Sequence, residues 1–299
     1  MRAIAAAMGF GMLLAGASAR PQNNPQSQAV SSTQPVSVAT SPDFAAVYCS
    51  NFITTDRAPE DTYLISGEQS NSKIIFGLRD YVYINKGASQ GVRVGDRYSV
   101  YRVQSDPIDV QWFKWQQKLS KAMGTFYKDV GQLKVVNVQP NVSTAEVSFA
   151  CEYLQRGDFI RQWQDRPSPP YKQGAKFDRF APVSGKSVGM VVFGKDFAQN
   201  FGQFSTAYIN LGTAQGVNVG DYMRVFRYHG STSQTSPYYA DAQYKMYGFG
   251  STPVSYQWND LPREILGEGV VLNVSPNSST VLITFSRVEI FAGDYVEVE

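Results

Sequence analysis

Histidine and cysteine are almost missing from this chain of 299 residues, which has one histidine and two cysteines. The histidine, His229, stands between Tyr228 and Gly230, and no motif marks a nucleophile or an orienting acid for it. Histidine-based nucleophilic catalysis needs both of those partners, and structural zinc sites need a full set of Cys and His ligands. The sequence therefore predicts no catalytic residue, no metal site and no cofactor, and we expect a protein that is not an enzyme.

Charge is also scarce, because Asp, Glu, Lys and Arg together make up only 17% of the residues. An average soluble domain has roughly 25%. The 27 Lys and Arg nearly balance the 25 Asp and Glu, which disfavours nucleic-acid binding through a strong overall positive charge. After the N-terminal segment, no apolar run approaches the ~20 residues of a membrane-spanning helix. We therefore expect neither a nucleic-acid partner nor a membrane span in the mature protein.

The N-terminal segment has the pattern of an export signal followed by a tether. Arg2 precedes an apolar run over residues 3–15, and Ala17-Ser18-Ala19 supplies the small residues of a cleavage site. This predicts a secretory signal peptide over residues 1–19, since the run is too short to cross ~30 Å of hydrocarbon. Residues 20–42 contain one charge and no aromatic residue, which predicts a disordered tether.

Aromatic residues and glycine are abundant, with 18 Tyr, 18 Phe and 25 Gly. Tyrosine and phenylalanine favour strands. Residues 97–103, 134–138 and 144–149 alternate polar and apolar side chains, and Gly, Pro and Asn turns separate such segments. Short alternating strands at this spacing indicate small antiparallel sheets or barrels. We therefore expect an all-β fold made of small antiparallel β-barrel-like modules.

An internal repeat organises these strands into two copies. Residues 83–102 read YINKGASQGVRVGDRYSVYR, and residues 208–227 read YINLGTAQGVNVGDYMRVFR. A second pair of similar segments begins at Gly131 and Gly267, and each contains the turn N-V-x-P-N and a closing Gly-Asp. Self-similarity of this kind predicts a tandem duplication. The predicted parts are a first β module with an N-terminal extension at 43–162, a Pro-rich linker at 163–183 and a second β module at 184–299.

The core shared by both copies, G-x-x-x-G-V-x-V-G-D, predicts a turn followed by a strand. We expect glycines to supply positive φ values and aspartates to accept backbone N–H groups across the turns. Val92 and Val94, like Val217 and Val219, are expected to point into the module. A calcium site is the alternative for the aspartates, but each stands isolated beside apolar neighbours, whereas calcium needs several converging oxygens. The predicted turn residues are Gly87, Gly91, Gly95, Asp96, Gly157, Asp158, Gly212, Gly216, Gly220, Asp221, Gly293 and Asp294.

The same motif carries a resemblance to bacterial envelope proteins. G-x-x-x-G-V-x-x-G-D, an alternating strand, G-x-x-x-V-x-x-V and a late Gly-Asp together resemble the C-terminal β domain of the flagellar assembly protein T family. The pattern is also similar to the Gly-Asp-boxed β modules found beside LysM domains. The resemblance covers both modules and implies a non-enzymatic part of the cell envelope. Because the sequence has no LysM-like helix pair, direct glycan binding does not follow from it.

The two cysteines, Cys49 and Cys151, predict a disulfide that ties the N-terminal extension to the first module. Disulfides persist in exported compartments, and a closed loop of this size stabilises by up to ~4 kcal/mol in the chain-entropy model. The alternative is two free buried thiols.

Two insertions rich in aromatic residues interrupt the modules, at 104–130 and 228–266. Aromatic loops on a rigid barrel suit contact with a protein or a carbohydrate. The alternative is that these side chains cap the barrels or pack the modules together, since aromatics supply large buried areas. Residues 111–122 predict either a short helix or a hairpin. The candidate binding residues are Trp112, Trp115, Tyr238, Tyr239 and Trp258.

Taken with the resemblance, these features predict an exported protein of the periplasm or the cell surface. We expect a non-enzymatic structural or assembly component, or a protein-binding adaptor, whose partner is an envelope protein or a cell-wall glycan. The alternative is a peptidoglycan or polysaccharide-binding protein. Exposed barrel strands are also compatible with an oligomer.

Overall fold

The computed structural model describes residues 40–69, 71–105, 111–172, 177–228 and 262–299, and the strands at 244–246 and 254–256. Strands hold 44% of the residues and helices 10%, and the strand pairs are antiparallel. The expected all-β fold is confirmed. In these ranges, no helix has the length and apolar character needed to cross a membrane. The predicted signal peptide, 1–19, and most of the predicted tether, 20–42, lie outside the described residues.

A curled sheet of seven strands occupies the first half of the described chain. The elements of this half are α1 (Phe44–Tyr48), β1 (Phe52–Thr54), β2 (Leu64–Gly67), β3 (Ile75–Phe76), β4 (Tyr81–Ile84), β5 (Arg97–Gln104), α2 (Gln116–Met123), β6 (Thr125–Val138), β7 (Ser143–Ala150), β8 (Leu154–Gln155) and β9 (Phe159–Gln162). The strand order is β2-β4-β7-β6-β5-β9, with β1 added to β6 and β3 paired with β8. The Leu64 N–H donates to the Asp158 carbonyl at 2.9 Å, and this bond brings β2 and β9 together.

A closed barrel of six strands occupies the second half. The elements of this half are β10 (Val188–Gly194), β11 (Asn200–Phe201), β12 (Thr206–Ile209), β13 (Tyr222–Arg227), β14 (Tyr244–Met246), β15 (Val254–Tyr256), β16 (Glu264–Ser275), β17 (Ser278–Ser286), β18 (Ile290–Phe291) and β19 (Tyr295–Val298). The barrel order is β10-β12-β17-β16-β13-β19, and it closes because β10 pairs with both β12 and β19. The strands β11 and β18 form one small sheet, and β14 and β15 form another.

The strand orders of the sheet and the barrel correspond. When the two copies of the repeat are aligned, β4 and β5 correspond to β12 and β13. In the later pair of segments, β6, β7 and β9 correspond to β16, β17 and β19. Replacing each strand by its counterpart turns one order into the other, with β10 in the place of β2. A duplicated module would give this arrangement. Residues 39–299 form one compact unit, so the duplication and the module bounds 43–162 and 184–299 stay predictions.

Each sheet encloses its own apolar core, and the repeated valines contribute to both. Val92 and Val217 are buried in these cores, as predicted. The prediction that Val94 and Val219 also point inward is wrong, because they are 67% and 38% exposed. The next residue in the first copy, Gly95, has φ +95°, so the chain turns there and leaves the preceding side chain at the surface.

Candidate functional site

The predicted turn glycines fall into two groups with different physical roles. Gly87 and Gly212 have extended backbone, and a Cβ there would lie 2.3 and 2.2 Å from the main-chain oxygens of Gln139 and Ser275. They allow a 3-10 turn to approach the neighbouring hairpin closely. The other six have φ values between 79° and 98°, which favour glycine: Gly91, Gly95, Gly157, Gly216, Gly220 and Gly293.

The first Gly-Asp of each copy closes a half-exposed turn. Asp96 accepts the backbone N–H of Arg93 through Oδ2 at 2.9 Å, and Asp221 accepts that of Asn218 at 2.8 Å. Each carboxylate therefore satisfies a backbone donor three residues earlier in the chain. This is a local capping role.

The second Gly-Asp of each copy holds a buried ion pair. Asp158 binds Arg102 through two bonds of 2.6 and 2.9 Å, and Asp294 binds Arg227 through two bonds of 2.6 Å. Both aspartate side chains are at most 1% exposed. Sequence reasoning missed these arginines, although they are the last identical pair of the repeat. In the part of the chain that the structure describes, no group of three or more His, Cys, Asp or Glu side chains is arranged to hold a metal ion.

The cysteine pair forms the predicted disulfide. The sulfurs of Cys49 and Cys151 are bonded, and their Cα atoms are 5.5 Å apart. The bridge fixes the end of α1 to the end of β7. It therefore anchors the segment that leads into β1.

The first insertion forms a helix that joins the sheet to the barrel. Residues 116–123 are helical, which settles the choice between helix and hairpin. The Trp112 ring stacks on Phe291 with ring centres 6.2 Å apart, and the buried Gln116 amide donates to the Val192 carbonyl at 2.8 Å. The Trp115 side chain is 53% exposed. The other candidate binding residues, Tyr238, Tyr239 and Trp258, lie outside the described residues.

Strand β1 forms the junction between the two halves. It pairs with β6 of the first sheet, while side chains of the barrel donate hydrogen bonds to carbonyl oxygens along it and just before it. The Tyr208 hydroxyl donates to the Ser50 carbonyl at 3.0 Å, and the Thr280 hydroxyl donates to the Asn51 carbonyl at 3.2 Å. The Ser278 hydroxyl donates to a third carbonyl, that of Ile53, at 2.7 Å. The barrel therefore recognises the backbone of this segment.

A buried ion pair lies next to the junction and binds the residue just before β1. Arg166, in the predicted linker, donates to both carboxylate oxygens of Asp129 at 2.7 and 2.8 Å. Burial lowers the pKa of Arg166, but the Asp129 carboxylate outweighs this and raises it above its ordinary value. The same carboxylate accepts the Asn51 N–H at 2.9 Å. The linker is thus fixed to the residues that present β1.

The barrel face that holds this segment has an exposed counterpart on the first sheet. The barrel face, on β12, β17 and β16, consists of six buried residues: Thr206, Tyr208, Val270, Leu272, Thr280 and Leu282. The counterpart, which we call the open face, lies on β4, β7 and β6 and consists of Tyr81, Tyr83, Lys134, Val136, Thr144 and Glu146. Tyr83 pairs with Thr144 in the same register in which Tyr208 pairs with Thr280. Yet Tyr83 is 36% exposed, whereas Tyr208 is fully buried.

No protein-family model matches the chain, and no curated protein matches it in sequence.

Proposed function

We propose that this protein is a non-enzymatic, exported component of the cell envelope that acts as a protein-binding adaptor or an assembly part. The observation that carries the proposal is the open face. Its counterpart on the barrel binds a protein segment inside the same chain. The resemblance of the Gly-Asp modules to envelope and assembly proteins supports the same assignment.

The chemistry of the occupied face indicates what the open face would bind. Hydroxyl groups of Tyr208 and Thr280 donate to main-chain carbonyls, and Leu272 and Leu282 belong to an apolar cluster that packs against Ala46 of α1. The open face keeps the tyrosine and the threonine at the matching positions. Its partner is therefore an extended segment of another envelope protein, held through its backbone carbonyls, as in other modes of backbone recognition.

Side-chain differences between the two faces make the open face more polar. Lys134 and Glu146 replace the apolar Val270 and Leu282, while Tyr81 and Val136 remain 40% and 38% exposed. A polar rim around apolar contacts is usual for interfaces between separately folded proteins. The open face fits a partner that associates after export.

Site-specific photocrosslinking in intact envelopes tests this proposal. A photoreactive phenylalanine analogue at Tyr83 should form a covalent adduct with a discrete protein. The control carries the same analogue at Phe204, which is 66% exposed on the barrel half, and it should give no such adduct. Equal adducts at both positions, or none at Tyr83, would overturn the assignment of the open face.

A peptidoglycan or polysaccharide binder is the second candidate, and the exposure of Trp115 favours it. The ammonium groups of Lys114 and Lys118 lie 5.0 and 5.5 Å from its ring centre, which leaves an aromatic surface with cationic neighbours. Co-sedimentation with purified peptidoglycan sacculi separates the candidates. This second function would be favoured if the protein pelleted with the sacculi, if soluble glycan reversed the pelleting, and if Trp115→Ala abolished it.

A further inference from the structure

A cleft between the first sheet and the barrel contains an arginine without a charged partner. The cleft has a volume of about 380 Å³, within the range of small-ligand sites. Ser99 and Arg161 line it from β5 and β9, and Asn273 and Ser275 line it from the end of β16. It therefore brings a guanidinium group together with hydroxyl and amide groups.

Arg161 is fixed in place by aromatic rings. Its guanidinium carbon lies 4.5 Å from the centre of the Phe52 ring and 5.3 Å from that of Tyr101, and such contacts hold a cation by cation–π attraction. Within the ranges that the structure describes, its guanidinium makes no ion pair and no hydrogen bond. Burial and the nearby charge of Arg166 lower the pKa of Arg161, while the Asp129 carboxylate, which is paired with Arg166, acts in the opposite direction. An arginine stays charged in proteins.

The other charged groups of the cleft leave Arg161 available. Arg166 is occupied by Asp129 at 2.7 Å, and Arg57 is occupied by Glu60 at 2.6 Å. Two carboxylates also line the cleft, those of Asp56 and Asp165, and neither comes within ion-pair distance of Arg161. The Asp165 carboxylate accepts the indole N–H of Trp163 at 2.7 Å instead.

The barrel shows what completes such a site. The position that corresponds to Arg161 in the second copy is Glu297, which is fully buried. Glu297 accepts two bonds from Arg263, of 2.7 and 2.9 Å. The Arg263 guanidinium lies 4.6 Å from the ring centre of Phe226, and Phe226 corresponds to Tyr101. Both halves thus hold a guanidinium over the matching ring, but only the barrel supplies a carboxylate.

We propose that the cleft binds a carboxylate group of a ligand, with Arg161 as the residue that pairs with it. The incoming carboxylate pairs with the Arg161 guanidinium as Glu297 pairs with Arg263 in the barrel. Arginine presents parallel N–H donors that match a carboxylate, and Ser99, Asn273 and Ser275 are placed to bind the rest of the ligand. Two sources offer this group in a cell envelope, a peptide C-terminus and a carboxylated sugar. The site is independent of the open face.

Paired probes that differ only in the carboxylate test the site without any mutation. The peptide probes are N-acetyl-alanyl-alanine and its C-terminal amide. The sugar probes are N-acetylmuramic acid and the carboxamide of its lactyl group. The purified protein is titrated with each probe by calorimetry. In one of the two pairs, the dissociation constant of the carboxylate probe should be lower than that of its neutral counterpart by about tenfold or more, because charge-assisted hydrogen bonds are strong. The pair that binds identifies the source.

Variants then assign the binding to Arg161. Arg161→Gln should weaken binding of the preferred carboxylate by about tenfold or more, and Arg161→Lys should recover part of it. The control, Arg93→Gln, removes the same charge from an exposed turn of the same sheet and should leave binding unchanged. Equal binding of carboxylate and neutral probes, absence of binding at millimolar probe, or equal effects of Arg161→Gln and Arg93→Gln would overturn the proposal.

Discussion

Asp221 and Asp294 both follow a glycine and both accept a backbone N–H three residues earlier, at the same distance of 2.8 Å. What separates them is a second interaction. Asp294 is fully buried and binds Arg227, whose side chain is 12% exposed, whereas Asp221 is half-exposed and takes no such partner among the described residues. Removing one member of a buried ion pair leaves an uncompensated charge, which is far more unfavourable than losing a surface hydrogen bond.

We therefore expect Asp294→Asn to lower the free energy of unfolding by about 3–5 kcal/mol. Asp221→Asn retains an acceptor oxygen for the turn and should lower it by no more than about 1 kcal/mol. Urea unfolding followed by far-ultraviolet circular dichroism measures both. Equal losses in the two variants would contradict the distinction between the buried and the surface aspartates.

At the scale of elements, the segment that leads into helix α2 contains two tryptophans in contrasting places. Trp112 is half-buried against Phe291, and Trp115 is exposed. Gln116 follows directly and is fully buried, and its side-chain oxygen Oε1 accepts the backbone N–H of Trp112 at 2.7 Å. One side of this segment therefore joins the two halves, while the other side faces solvent.

Trp112→Ala should lower the free energy of unfolding by about 2–4 kcal/mol, because truncation of a packed aromatic leaves a cavity. Trp115→Ala should change it by no more than about 0.5 kcal/mol, as for an exposed substitution. Guanidinium unfolding of the two variants checks this. A larger loss for Trp115→Ala would mean that the exposed ring packs against part of the chain outside the described residues.

Local patterns predicted the elements better than they predicted the contacts between them. Alternation and the repeat are properties of neighbouring residues, so they indicated the strands that contain Val100 and Val225. The Tyr208 hydroxyl instead reaches a carbonyl 158 positions away in the chain, and no local pattern encodes such a bond. The ion pair of Arg102 with Asp158 is intermediate, because the repeat marked both residues without showing that they meet. No sequence pattern indicated that Arg161 has no ion-pair partner, because this depends on which carboxylates the fold brings close to its guanidinium.

At the scale of the whole molecule, the junction joins two separate apolar cores. The barrel holds β1 and the two residues before it through three hydroxyl groups, and β1 is itself a strand of the first sheet. Arg166 and Asp129 lie where the linker, β6 and the segment before β1 meet. A disturbance there acts on both halves at once, so the two should unfold as one cooperative unit.

Amide hydrogen exchange of Arg166→Met tests this cooperativity. The variant leaves Asp129 buried and unpaired, and we expect stability to fall by about 3–5 kcal/mol. The loss of protection should appear in peptides from β6–β7 and from β16–β17 alike, because both halves depend on the same junction. The control is Arg57→Gln, which removes an arginine that lines the same cleft but is 81% exposed; it should leave protection in both hairpins unchanged. Loss of protection confined to β6–β7 would mean that the two halves fold independently, as separate modules at 43–162 and 184–299.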